Sequence, residues 1–150
     1  MTEVRKCRGV KHTSCDGVHY SVTMVSPIAL DVDIHFEREL PSLEAKIVWK
    51  GGMFAETHTI NTRSVCHDMF LRQILEHILP IEQCHLPAGR YKGRININET
   101  AHYNYDGRTM FPGKYVVKSS FYTNHCNVYC LLVDLVVTKS PHHRLATLYK

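Results

Sequence analysis

No stretch of the chain approaches the roughly 18 consecutive apolar residues of a membrane-crossing helix, so a helical span is excluded. Tight C-x-x-C pairs, the usual spacing of cysteines kept as thiols for zinc, are missing. So are a G-x-S-x-G elbow, a glycine-rich phosphate loop and an H-E-x-x-H pair, which removes the common signatures of serine hydrolysis, nucleotide binding and zinc proteolysis. The carboxylates Asp31 and Asp33 alternate on one strand face with no opposing acid, which leaves no paired-carboxylate chemistry. No catalytic residue and no metal site is assigned, and a non-enzyme is expected. Basic residues are scattered among acidic ones without a recognition helix or a basic, aromatic-rich stripe, so a nucleic-acid partner is not expected. Met1 to Arg8 is polar and carries no charged-then-apolar leader; an exported protein is therefore expected here in processed form.

What the chain does have is six cysteines, Cys7, Cys15, Cys66, Cys84, Cys126 and Cys130, mostly far apart and even in number. That is the requirement of a disulfide framework in an oxidising compartment, secreted or lysosomal. Cys66-His67, Cys84-His85, His125-Cys126 and Cys130 supply zinc-type ligands, but their spacings match no standard zinc module. The 150 residues suit one domain, and a domain of that size buries about 68–70% of the surface of its unfolded chain. Disulfides would therefore reinforce a core instead of replacing one. A net charge of +4 makes the surface mildly cationic, and eleven histidines add positive charge as pH falls toward 5.

Short alternating segments dominate. Between Ile28 and Leu40, the residues Leu30, Val32, Ile34 and Phe36 point one way and Asp31, Asp33, His35 and Glu37 the other, the mark of a half-buried antiparallel strand. Val18, Tyr20, Val22 and Met24 precede it, and Leu43, Ala45, Ile47 and Trp49 follow the Pro41-Ser42 turn, so three strands are expected to share one buried side. Gly51-Gly52 breaks the chain before a shorter strand at Met53 to Ile60. Later strands are expected from about Gly89 to Asn98, Gly113 to Thr123 and Asn127 to Lys139, with turn chemistry at Asp106-Gly107 and Pro112-Gly113. The last strand is apolar on both parities and should lie centrally. Asp134 interrupts it, so its carboxylate must be at an edge or paired.

From Val65 to Leu79 the period becomes helical, with Phe70, Ile74 and Ile78 in one row and Leu71, Leu75 and Leu79 beside it. Ser64 is the expected N-cap and Pro80 the stop of one amphipathic helix of three or four turns. The whole reads as an all-β, immunoglobulin-like, two-sheet antiparallel β-sandwich of about seven strands with this one helix. Residues 1–14 read as an N-terminal extension, 15–139 as the sandwich domain and 140–150 as a C-terminal tail.

A series of residues carries a family likeness: Leu30-Asp31-Val32-Asp33-Ile34-His35-Phe36-Glu37-Arg38-Glu39-Leu40; the cysteine-headed helix; Cys84 followed by Leu86-Pro87-Ala88-Gly89-Arg90-Tyr91; and Phe111-Pro112-Gly113-Lys114-Tyr115 leading into a cysteine-bearing last strand. From about Cys15 to Lys139 the chain resembles the ML (MD-2-related lipid-recognition) domain, nearest its ganglioside-activator branch and the secreted arthropod relatives of that activator. It differs from that branch, which usually has four disulfides and a C-x-C before the glycine-tyrosine strand, in having three possible bridges and a single Cys84.

The resemblance implies several things. Cys15 would pair with Cys130 and Cys66 with Cys84, leaving Cys7 for Cys126, although six cysteines on their own permit fifteen connectivities. The two sheets would stand apart around an internal apolar cavity that holds a lipid or another small hydrophobic ligand, with no other cofactor. Its wall would include Val32, Ile34, Phe36, Ile47, Trp49, Phe54, Val117 and Phe121, and Phe70, Ile74 and Ile78 of the helix would lid it or touch a bilayer. An alternating apolar face by itself signals only a packed core, and a core helix would look the same. Lys46, Lys50, Arg90, Lys92, Arg94 and Lys114 are candidate rim cations for a ligand headgroup. A transient membrane surface or a receptor would be the partner. Asn98-Glu99-Thr100 is a glycosylation sequon and predicts a surface position for Asn98 in an exported chain. The expected function is non-enzymatic lipid binding or transfer; the alternative is an extracellular protein-recognition module with a filled core.

Overall fold

The computed structural model describes residues 1–52, 55–81, 84–98 and 112–138. Among the described residues, eight strands run in the order β1 (Glu3–Lys6), β2 (Val18–Ser26), β3 (Ala29–Phe36), β4 (Glu44–Gly51), β5 (Glu56–Thr62), β6 (Gly89–Asn96), β7 (Gly113–Tyr122) and β8 (Asn127–Val137). They form two antiparallel sheets, ordered β1-β8-β7-β4-β5 and β2-β3-β6. The seven strands expected from the sequence are all present. Phe54, the sequon residues Glu99 and Thr100, the Asp106-Gly107 turn, Phe111 and the tail 140–150 lie outside the described residues.

The eighth strand comes from the stretch read as an N-terminal extension: β1 pairs with β8 through Glu3–Asp134 to Lys6–Leu131 and forms the edge of the larger sheet. The alternation of β3 is borne out residue by residue, since Leu30, Val32, Ile34 and Phe36 are buried between less buried neighbours. β4 contributes Ala45 and Ile47 to the same core, but from the opposite layer. Its neighbours are β5 and β7, while β3 lies between β2 and β6. The short link through Leu40 and Leu43, both buried, thus carries the chain from one sheet to the other. β8 lies between β1 and β7, and Asn127 to Leu131 are buried on both parities. On the larger sheet's outer face Cys130 is bonded to Cys7 and Ser120 Oγ lies 3.4 Å from the Cys130 sulfur, and both residues are only 2% exposed.

The expected single helix is instead a 3₁₀ turn (Val65–His67) followed by α1 (Met69–Leu75). Asp68 separates them in an extended conformation and its carboxylate accepts the Leu71 N–H at 3.0 Å, so Asp68, and not Ser64, caps the helix. Ser64 pairs its hydroxyl with His67 Nδ1 at 2.8 Å. After Leu75 the chain continues in turns, with the N–H groups of Ile78 and Leu79 both donating to the Leu75 carbonyl.

All six cysteines are bonded, as Cys7–Cys130, Cys15–Cys126 and Cys66–Cys84. The pairing implied by the family resemblance is corrected for the first two. Strand register explains the outcome: β1 runs antiparallel to β8 with Lys6 opposite Leu131, and the next step along places Cys7 opposite Cys130, whose carbonyl accepts the Cys7 N–H at 3.1 Å. Cys15 N–H donates to Asn127 O at 2.8 Å, beside Cys126. Disulfides of this number belong to an oxidising, extracellular-type environment. No helix among the described residues is long and apolar enough to cross a membrane.

Candidate functional site: an apolar gap between the sheets

Buried residues of both layers form one core cluster. Phe36 at 1% exposure and Phe121 at 4% are packed core residues, Phe121 stacking on Tyr129 with ring centroids 4.6 Å apart and Phe36 tilting against Tyr91 at 5.8 Å. Where the layers do not quite meet, beneath the segment from Leu75 to Leu79, an apolar cavity of about 20 Å³ remains. That is room for about one water molecule, and its walls offer a water almost nothing to bond.

Each wall has a sequence origin. β3 supplies Val32 and Ile34, β2 supplies Tyr20 and Val22, β6 supplies Ile95, and β8 supplies Tyr129 and Leu131. Leu75, Ile78 and Leu79 close it from the helical side. Of the expected cavity residues, Val32, Ile34 and Ile78 line the gap; Phe36, Ile47, Val117 and Phe121 are in the packed core. Trp49 and Phe70 are half-buried against that core, and Ile74 is half-buried on α1. Sequence reasoning missed Tyr20, Val22, Ile95, Tyr129, Leu131, Leu75 and Leu79 as wall residues. The signal was there for all seven, since each sits at the inward parity of its strand or in the second apolar row of the helical segment.

The segment that closes the gap is anchored at both ends. Cys66–Cys84 ties its start to the chain beyond Pro80, and Val65 N–H donates to Leu43 O at 2.9 Å. At the other end it rests on Gly93 of β6, where a Cβ would lie 2.6 Å from His77 O and 2.9 Å from Ile78 Cγ1. Glycine is required there by close approach of backbone. The Cys66, His67 and Cys84 side chains gather within 4.8 Å, but both sulfurs are consumed in the disulfide, so the thiolate ligands that a zinc site would need are not offered.

Tyr20 and Tyr129 are the polar members of the wall. Tyr20 donates its hydroxyl to Cys130 O at 3.3 Å, and the two rings lie 5.8 Å apart. Burial pushes the Tyr129 phenol up, so it stays neutral throughout the physiological range. Among the described residues, no charged group lines the gap.

The expected rim cations point elsewhere. Arg90 grips Asp33 with two hydrogen bonds of 2.9 and 2.7 Å, and Arg94 grips Asp31 at 2.6 and 2.9 Å, on the outer face of the three-stranded sheet. Lys92 adds a 3.5 Å contact to Asp33. The hydrogen bonds from Arg90 and Arg94 hold Asp33 near 2 and Asp31 below its usual range. Lys46, Lys50 and Lys114 are exposed, and Lys46 and Lys50 alternate with the inward Ala45, Ile47 and Trp49. Asp134, expected at an edge or paired, meets Arg5 of β1 at 2.7 Å. Asn98 is exposed just after β6.

No protein-family model matches the chain, and no curated protein matches it in sequence.

Proposed function

We propose that this chain is a secreted or lysosomal, non-enzymatic carrier that holds a hydrophobic ligand of acyl type between its two sheets. One observation carries the reading: a gap with an apolar wall, bounded by both layers and closed by a separate, disulfide-tethered segment instead of by a strand. In this state the gap is shut, because an acyl chain of ten methylenes far exceeds a space of about 20 Å³. Loading therefore requires the Leu75 to Leu79 segment to lift and the layers to part. Burial returns about 0.8 kcal/mol per methylene, so ten methylenes supply several kcal/mol against the cost of that opening. The likeness to the ML domain supports the same reading.

The small volume favours a second reading, a filled-core extracellular recognition module. The two separate in one experiment. Native mass spectrometry and organic extraction of the purified protein, followed by uptake of a fluorescent fatty acid, should find lipid or saturable uptake. Uptake should fall in Leu131→Trp and Val32→Phe variants that remain folded, because both fill the gap. Absence of co-purified lipid and of uptake at every pH from about 5 to 7.5 would leave the second reading standing.

A further inference from the structure

We infer that the loop between Cys7 and Cys15 forms a binding site for a tetrahedral oxyanion, a phosphate or sulfate group, distinct from the gap between the sheets. A cavity of about 130 Å³ lies between this loop, the start of β8 and Tyr20 of β2. It is several times larger than the space beneath the helical segment, and a single water needs only about 10–15 Å³. Arg8, Lys11 and His12 supply its charged and titratable groups, beside Ser14, Tyr20, Asn127 and the apolar Val128 and Tyr129, and among the described residues no carboxylate lines it.

The loop is held in one shape before any ligand arrives. Disulfides fix both of its ends, Cys7 to Cys130 and Cys15 to Cys126. Its middle is bound to the Asn127 side chain, which accepts the Lys11 N–H at 2.8 Å and donates to the carbonyls of Lys11 and Thr13 at 2.8 and 3.1 Å. Gly9 passes so close that a Cβ would fall 2.2 Å from Asn127 Oδ1. Asn127 is only 9% exposed, and its hydrogen bonds serve this loop alone.

Charge is left over at the site. Arg5, Arg72, Arg90 and Arg94 each meet a carboxylate, whereas among the described residues neither Arg8, Lys11 nor His12 does. Lys11 places its Nζ over the Tyr122 ring, 5.3 Å from the centroid, a contact that leaves its charge without a carboxylate partner. A rigid frame, room beyond a few waters, a hydroxyl donor at Ser14 and unneutralised cations together describe an oxyanion site. The group it takes is either free or borne on a lipid headgroup.

The test is an amide-resolved NMR titration of the ¹⁵N-labelled full chain with sodium phosphate and with sodium sulfate, against sodium chloride at constant ionic strength. Saturating shifts confined to Gly9, Ser14, Asn127 and their neighbours are expected, with affinity about ten-fold lower in Arg8→Gln, as loss of a charge-assisted hydrogen bond implies. Arg38→Gln, at an exposed arginine outside the cavity, should behave as wild type. Vesicles of phosphatidylcholine with and without phosphatidic acid then identify the source: binding weakened by Arg8→Gln in parallel with inorganic phosphate extends the site to lipid headgroups. Shifts that do not saturate, equal affinity in Arg8→Gln, or vesicle binding without any response to the free oxyanions would each overturn the site.

Discussion

Gly93 lies directly beneath the carbonyl of His77, so close that a single methyl at Gly93 would sit 2.6 Å from that oxygen. The glycine is therefore the seat on which the closing segment rests, and Ile78 is pressed into the gap beside it. Gly93→Ala should lift the segment. We expect a loss of about 1–3 kcal/mol from overpacking, seen as a lower urea midpoint, with faster amide exchange from Leu75 to Leu79. Stability and exchange equal to wild type would mean that the segment is not seated there.

Connectivity gives a second prediction, because it follows from strand register. Cleavage after Tyr129 separates Cys126 from Cys130, so peptide mapping of the unreduced protein should recover Cys7 joined to Cys130 and Cys15 joined to Cys126. A Cys15–Cys130 peptide would require β1 and the following loop to slide along β8, breaking the Asn127 contacts with Lys11 and Thr13.

That pairing marks where the sequence stops being legible. The period-two run from Leu30 to Phe36 disclosed both a strand and its buried face, because a sheet with one wet side forces alternation. It did not disclose partners. β3 and β4 are joined by a short link and neighbours in a chain usually pair, yet Leu40 and Leu43 carry the chain across the core. β1 is four residues long with only Val4 apolar, too short for periodicity to show, and only its pairing with β8 makes it a strand. The helical row from Phe70 to Leu79 was readable, but its break was not, since an aspartate four residues into a periodic run can equally be a solvated first-turn acid or a cap. Val32, Ile34 and Ile78 were expected at the gap and line it; Phe36 and Phe121 were expected there too but lie in the packed core, because alternation gives the inward face and says nothing of whether the opposite layer meets it.

The outer face of the small sheet makes a prediction about acid. Asp33 is held near 2, chiefly by the two hydrogen bonds from Arg90 and then by the charges of Arg90 and Lys92, against about 3.9 in an unfolded chain. A depressed folded value means that the unfolded state binds more protons in between, so the contribution is fully present above about pH 4 and lost as pH falls toward 2. The Arg90–Asp33 clasp should thus remain closed at the pH of an endosome or lysosome. In urea melts from pH 2 to 7, Asp33→Asn should show a shallower fall in stability between 4 and 2 and an unchanged profile between 5 and 7. A variant profile parallel to wild type throughout would place the proton uptake elsewhere.

The Cys66–Cys84 bridge connects stability to loading. It spans 18 positions, and a loop of that size restricts the unfolded chain by about 3 kcal/mol. It also fixes the start of the closing segment, which is further held by the Val65 to Leu43 hydrogen bond, the packing of Leu71 and Leu75 and the seat on Gly93. Replacing both cysteines by serine should lower global stability by about that amount while Cys7–Cys130 and Cys15–Cys126 keep the sheets together. Local opening should become cheaper than global unfolding, so amides from Leu71 to Leu79 should exchange faster than those of β3 and β7. If the segment gates the gap, the same variant should take up a fluorescent fatty acid faster than wild type with little change in final occupancy. Faster exchange of the segment with an unaltered uptake rate would show that ligand enters by another route, through the strand ends instead of past Ile78.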